Sequence, residues 1–146
     1  MSHLDSLNTE TNDDPTPQWT ESTRQVMKQY LDRWGHAVET HDSLEMGTLT
    51  GDLWNRLVIN HDEPNLRLGL AAVGAKIIGD MQLSASLSGR ELPEKFRALG
   101  DAFAQILLGA RVTFEVQSAS GERRLLTFEN GARTMRMPDG SLPAPN

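Results

Sequence analysis

The run Val112-Thr113-Phe114-Glu115-Val116-Gln117 and the later run Leu126-Thr127-Phe128-Glu129-Asn130-Gly131 decide the fold. Apolar and polar residues alternate through both, the period of a half-buried strand. A turn at Ser120-Gly121 separates them. Asn130-Gly131 is a strong hairpin signal, because both turn residues take positive φ at little cost. The pattern predicts an antiparallel meander of three to four strands, after which Pro138-Asp139-Gly140 turns the chain. One face of such a sheet is apolar and needs a helical layer to cover it.

Register follows from the turns. Asn130-Gly131 places Phe128 opposite Arg133 and Leu126 opposite Met135. A three-residue loop Ser120-Gly121-Glu122 places Val116 opposite Leu126 and Phe114 opposite Phe128. A two-residue loop would move Leu126 to the polar face, since a slip of one residue flips every side chain.

Upstream, Pro93 suits the first turn of a helix, where its missing N–H costs nothing. Leu92, Phe96, Leu99, Phe103, Ile106 and Leu107 form one stripe, and Gly109 stands in a C-terminal capping position. This amphipathic helix runs into the meander, so its stripe is expected to pack on the sheet.

Residues 66–88 read two ways. Leu66, Leu68 and Leu70 alternate, Ala71 to Ile78 look helical, and Met81, Leu83, Ala85 and Leu87 alternate with polar residues. Period favours a helix over 66–79 followed by a strand over 80–88. One long helix is the other reading, for which the serine content is poor. Ala71, Ala75 and Gly79 recur every four residues and make a small face, suited to close packing within the chain or to a homodimer seam.

The N-terminal half is read as helical. Ser22 and Gln25 have the form of a capping box. Val26, Met27, Tyr30, Leu31, Trp34 and Val38 follow at helical spacing, with an end or bend expected at Gly35. Residues 42–52 suggest a short helix broken by Gly47 and Gly51. Leu53 to Ile59 read as helix, or as a buried strand, and 60–65 as a loop. The fold class is therefore α+β: a helical N-terminal half, then a final amphipathic helix packed on a C-terminal antiparallel meander. Residues 19–140 form one domain, flanked by flexible tails at 1–18 and 141–146.

The chain of 146 residues has a net charge of −6, no cysteine, and an uneven charge distribution. Residues 1–64 hold 12 acidic and 4 basic side chains, a balance of −8, and residues 65–146 hold 8 and 10, a balance of +2. An acidic half argues against nucleic-acid binding, which requires dense positive charge. Without cysteine there are no disulfides, thiolate metal sites or cysteine nucleophiles. The N-terminus lacks the basic and apolar regions of a signal peptide. No run of about 18 apolar residues could span a membrane. A cytoplasmic location is expected.

Three constellations come close to known chemistry. His36-Ala-Val-Glu39-Thr-His41 spaces its histidines five apart, whereas zinc proteases place them four apart on one helical face. A metal there would need a chain break near Thr40 and a third ligand such as His61. Gly69-Leu-Ala-Ala-Val-Gly74-Ala-Lys76-Ile77 falls short of a phosphate loop, because an alanine separates glycine from lysine and Ile77 replaces the magnesium-binding hydroxyl. Trp34 and Trp54 lie on apolar stripes and read as core, while Trp19 reads as a staple against the first helix. No catalytic, cofactor or metal residue is therefore assigned, and no cofactor is expected. The arginines of the meander alternate with acids, as on a solvated face. The sharper reading is a partner-binding patch of Arg123, Arg124, Arg133 and Arg136.

The first functional expectation is a small, acidic, non-enzymatic protein that binds another protein, in an accessory, regulatory or immunity-type role. Its acidic half could meet a basic partner. The second comes from layout. Helices followed by a curved sheet resemble the nuclear-transport-factor-2-like superfamily, whose members include binding modules and isomerases. No motif residue carries this resemblance, and three strands are fewer than that fold supplies. It implies a cone with a small-molecule pocket between the last helix and the sheet, lined by Phe103, Phe114, Phe128 and Met135. Homodimerisation, through a sheet edge or the small-residue helix, is compatible with either.

Overall fold

The computed structural model describes residues 17–143. It contains four helices followed by a three-stranded antiparallel sheet: α1 (Glu21–Glu39), α2 (Ser43–Ile59), α3 (Pro64–Leu87), α4 (Glu94–Ile106), β1 (Val112–Gln117), β2 (Arg123–Glu129) and β3 (Ala132–Arg136). The α+β class expected from the meander is the class found. Among the described residues the sheet has three strands, in the order β1-β2-β3.

Helix α1 is capped by Thr20, whose hydroxyl accepts the Thr23 backbone N–H at 3.1 Å. The Ser22–Gln25 box is not used. The helix also continues through Gly35, where a Cβ would meet nothing within 4 Å. It ends in a Schellman turn: the Asp42 N–H bonds to the Ala37 carbonyl and the His41 N–H to the Val38 carbonyl. Position C′ of that turn is His41, at φ 55°. A side chain there costs about 1 kcal/mol relative to glycine.

Residues 43–59 form one helix, not a broken short helix and a second segment. Asp42 caps it by accepting the Glu45 N–H at 3.0 Å. The Asp42-Ser-Leu-Glu45 spacing is the capping signal that outweighs Gly47 and Gly51.

Residues 64–87 also form a single helix, which corrects the helix-then-strand reading. The reason is burial. Helix α3 is the axis of the molecule, with α1, α2, α4 and β1 all packed on it. A helix covered on most sides shows no single apolar stripe, so sequence period cannot identify it. Its end is a second Schellman turn, with Gly89 at φ 68° and the Arg90 N–H bonded to the Ala85 carbonyl at 2.8 Å.

Three glycines let α3 serve as that axis. They are five residues apart, so each is rotated about 140° from the last. A Cβ on Gly69 would lie 2.6 Å from Thr23 of α1, on Gly74 2.4 Å from the Phe103 ring of α4, and on Gly79 2.7 Å from Val116 of β1. Each glycine faces a different neighbour at a distance no side chain would allow. The small face of Ala71, Ala75 and Gly79 is accordingly buried inside the molecule and offers no seam to a second copy.

The sheet meets α3 more closely than it meets the α4 stripe expected to cover it. Helix α4 lies alongside α3, Gly100 against Ile78, and clefts separate it from the sheet. Pro93, expected in its first turn, is instead its N-cap; its C-cap is Leu107, and Gly109 is not in the left-handed conformation.

The β2–β3 register is the expected one, with Phe128 opposite Arg133 and Leu126 opposite Met135. The β1–β2 register differs by two residues: Phe114 faces Leu126, and Val116 faces Arg124. The turn lies one residue earlier. The Gly121 N–H closes on the Ser118 carbonyl, the Ser118 N–H bonds to the Glu122 carbonyl, and Gly121 takes φ 94°. Glycine is wanted at the last loop position of a three-residue hairpin, which selects Ala119-Ser120-Gly121. An even shift preserves which residues face inward.

Of the expected tails, residues 1–16 and 144–146 lie outside the described residues. Gln18 is held in place: its carbonyl accepts from Asn65 Nδ2 at 2.6 Å, while Asn65 Oδ1 accepts the Thr20 N–H at 3.0 Å. Trp19 is half-buried against the core, in keeping with a staple.

Candidate binding groove and its polar anchor

Helices α2 and α4 flank α3 and touch where the Trp54 and Phe103 rings meet edge to face, centroids 5.6 Å apart. Towards their N-termini a groove of about 500 Å³ lies between them, lined by Leu44, Gly47 and Gly51 of α2 and by Lys95, Phe96 and Leu99 of α4. A Cβ on Gly47 or Gly51 would meet nothing within 4 Å, so at these two positions the α2 wall, otherwise formed by Ser43, Leu44, Thr48 and Thr50, is bare backbone. Leu44 beside it is 82 % exposed.

This groove adjoins a pocket of about 490 Å³, with Ser43 and Phe96 belonging to both. The pocket lies within the size range of ligand sites, roughly 300–1,000 Å³. Trp34, Met46, Met81, Leu92 and Phe96 give it an apolar lining. Two of these are methionines, whose flexible thioethers adapt to varied apolar shapes. The two Schellman turns supply His41 and Arg90 to its rim. The left-handed His41 thus stands at the site, where stored backbone strain is often found.

One wall of the pocket carries Asp80, a carboxylate only 6 % exposed. Its Oδ2 accepts from Trp34 Nε1 at 2.7 Å and from Lys76 Nζ at 2.6 Å, and its Oδ1 accepts the Gln117 N–H at 2.8 Å. One side chain therefore joins α1, α3 and the end of β1. Four residues further on, Ser84 Oγ accepts the Ala119 N–H at 2.8 Å. A buried charge is tolerated only when its hydrogen-bonding capacity is met. No buried side-chain nitrogen or oxygen among the described residues lacks a partner.

Sequence reading missed Asp80 as a site residue. Its signal was a lone acid in an apolar run with Lys76 four residues before it, the spacing of a helical ion pair. The Gly69–Ile77 segment that falls short of a phosphate loop, Lys76 included, is interior helix. His36 and His41 fall on the last turn of α1 and in the turn after it, and no three His, Asp or Glu side chains among the described residues are grouped to hold a metal.

The acidic half is partly neutralised from within. Arg33 of α1 binds Glu45 at 2.7 Å and 3.0 Å and Asp52 at 2.9 Å, tying α1 to α2. The hydrogen bond to Glu45 raises the Arg33 pKa and, reciprocally, lowers that of Glu45.

The four arginines of the expected patch do not share a surface. Strand alternation puts Arg123 and Arg136 on the outer face of the sheet and Arg124 and Arg133 on the inner side. Arg123 lies 3.7 Å from Glu115, Arg124 is 3.3 Å from Glu122, and Arg136 bonds to the Gly140 carbonyl. Of the four expected pocket residues, Phe128 and Met135 do line a cleft between the last helix and the sheet. Phe103 is fully buried against Gly74 and Trp54. Phe114 packs on Phe128, centroids 5.9 Å apart, away from the cleft.

Among the described residues no helix is long and apolar enough to cross a membrane. Compared with known protein families, curated proteins and solved structures, the chain matches none.

Proposed function

We propose that this is a non-enzymatic binding protein that receives an amphipathic helix from a partner protein in the groove between α2 and α4. The observation that carries the reading is the bare wall at Gly47 and Gly51, beside the exposed Leu44. Glycine four residues apart on a helix lets another backbone approach closely. An apolar groove of this kind takes a helix whose anchors repeat at three- and four-residue spacing. The adjoining pocket supplies what such an interface needs at its centre, a cavity for one large apolar anchor. The acidic balance of residues 1–64 favours a basic partner, acting mainly on association rate and selectivity.

The test fills the groove without harming the fold. Tagged protein and its Gly47→Leu/Gly51→Leu variant are purified from the native cell, and bound proteins are identified by mass spectrometry. Leucine raises helix propensity at both positions, so the variant stays folded by circular dichroism. The expected result is a stoichiometric partner on the unaltered protein that is lost from the variant. A partner held equally by both, or recovery of the protein alone, overturns the reading.

A further inference from the structure

We infer that the cleft between α4 and the inner side of the sheet is a separate binding site, for a small molecule with an apolar body and charges of both signs. That is the chemistry shared by apolar amino acids and short apolar peptides.

The cleft holds about 340 Å³, and Leu126, Phe128 and Met135 contribute apolar surface to it. Asp101 of α4 and Arg133 of β3 also line it. Neither side chain makes a hydrogen bond or an ion pair with any described residue, and no ion pair within 4.0 Å joins them. Asp101 and Arg133 thus set charges of both signs on the two elements that border one apolar cleft, while Arg97, which also lines it, is paired with Glu94 at 2.7 Å. A carboxylate can meet the Arg133 guanidinium and an ammonium the Asp101 carboxylate, with the ligand's apolar part lying between them. The β2–β3 register sets Arg133 directly opposite Phe128, which places the anion contact beside the aromatic surface. Asp101, Phe128 and Arg133 also border a second space of about 290 Å³ that reaches Leu108 and Gly131. A dipeptide can extend from the first cleft towards Leu108, farther than a single amino acid does.

Nitrogen-15-labelled protein is titrated with L-phenylalanine and with the dipeptide Leu-Phe, followed by amide shifts. Phenethylamine and 3-phenylpropionate, each carrying one charge, are the controls. The expected result is saturable shifts at Gln82, Asp101 and Arg133, with the controls roughly tenfold or more weaker, the worth of one charge-assisted hydrogen bond. Arg133→Gln should abolish the preference over phenethylamine, and Asp101→Asn the preference over phenylpropionate. Both side chains are exposed, so neither variant threatens the fold. Shifts at Leu108 and Gly131 with the dipeptide alone identify a peptide site, and their absence identifies an amino-acid site. No saturable shift with either zwitterion, equal binding of zwitterions and controls, or binding unchanged in both variants overturns the inference. The Gly47→Leu/Gly51→Leu variant should bind as the unaltered protein does, so this site and the helix groove stand or fall separately.

Discussion

Helices α2 and α3 both carry glycines in their interiors, and these glycines do opposite things. In α3, Gly69, Gly74 and Gly79 each hold a neighbour closer than any side chain permits. In α2, a Cβ at Gly47 or Gly51 would meet nothing within 4 Å. The intrinsic penalty is the same in both helices, about 1 kcal/mol per glycine relative to alanine. In α3 it is offset by tight packing against three different elements. In α2, as at Gly35 of α1, no described residue packs against the glycine to offset it. A helical glycine therefore has no fixed meaning; its neighbours decide the sign of its contribution.

The largest effect should come from the polar counterpart of those close contacts. Asp80→Ala leaves the Trp34 indole N–H, the Gln117 N–H and the Lys76 ammonium without their acceptor. Breaking a buried, multiply bonded charge in this way costs on the order of 3 kcal/mol. Urea denaturation checks it, and a loss below about 1 kcal/mol would show that the Asp80 hydrogen bonds add little to what holds α3 in place.

Gly74→Ala comes next. The added methyl falls 2.4 Å from the Phe103 ring, which is fully buried and has no room to retreat. Overpacking of this kind costs roughly 1–3 kcal/mol. Combining it with Phe103→Leu should recover part of the loss, so the two changes are non-additive in a double-mutant cycle. A neutral Gly74→Ala would erase the distinction between the two helices.

Smallest, and opposite in sign, are Gly47→Ala and Gly51→Ala. Each should raise stability by about 1 kcal/mol, visible as a higher thermal midpoint. A destabilising result at either would mean that the α2 face is already covered in solution, and would point to self-association, which sedimentation would detect.

The site was less legible in the sequence than the fold, and particular residues show why. The meander could be read because Asn130-Gly131 and the alternation in 112–117 are local signals. Its β1–β2 register was misplaced by two residues because Ser120-Gly121 fits two three-residue loops with the same inward pattern. Helix α3 reads as split because Met81, Leu83, Ala85 and Leu87 alternate with polar residues as a strand would, although only Leu83 and Ala85 of them are buried. Asp80 passed unnoticed because its partners lie 46 and 37 residues away in the chain. The arginine patch dissolved because a strand sends alternate residues to opposite sides, which a list of charges does not record.

By itself the sequence determined the class of fold, the hairpin at Asn130-Gly131, the start of α4 near Pro93 and the inward-facing residues of the sheet. All of these rest on backbone preferences and short-range periodicity, which act within a few residues. Only the tertiary structure decided that α3 is the central axis, that Gly74 supports packing while Gly47 faces a groove, and that Asp80 joins three elements. Those properties belong to contacts between segments distant in the chain, and a residue's own identity does not say which neighbour will arrive beside it.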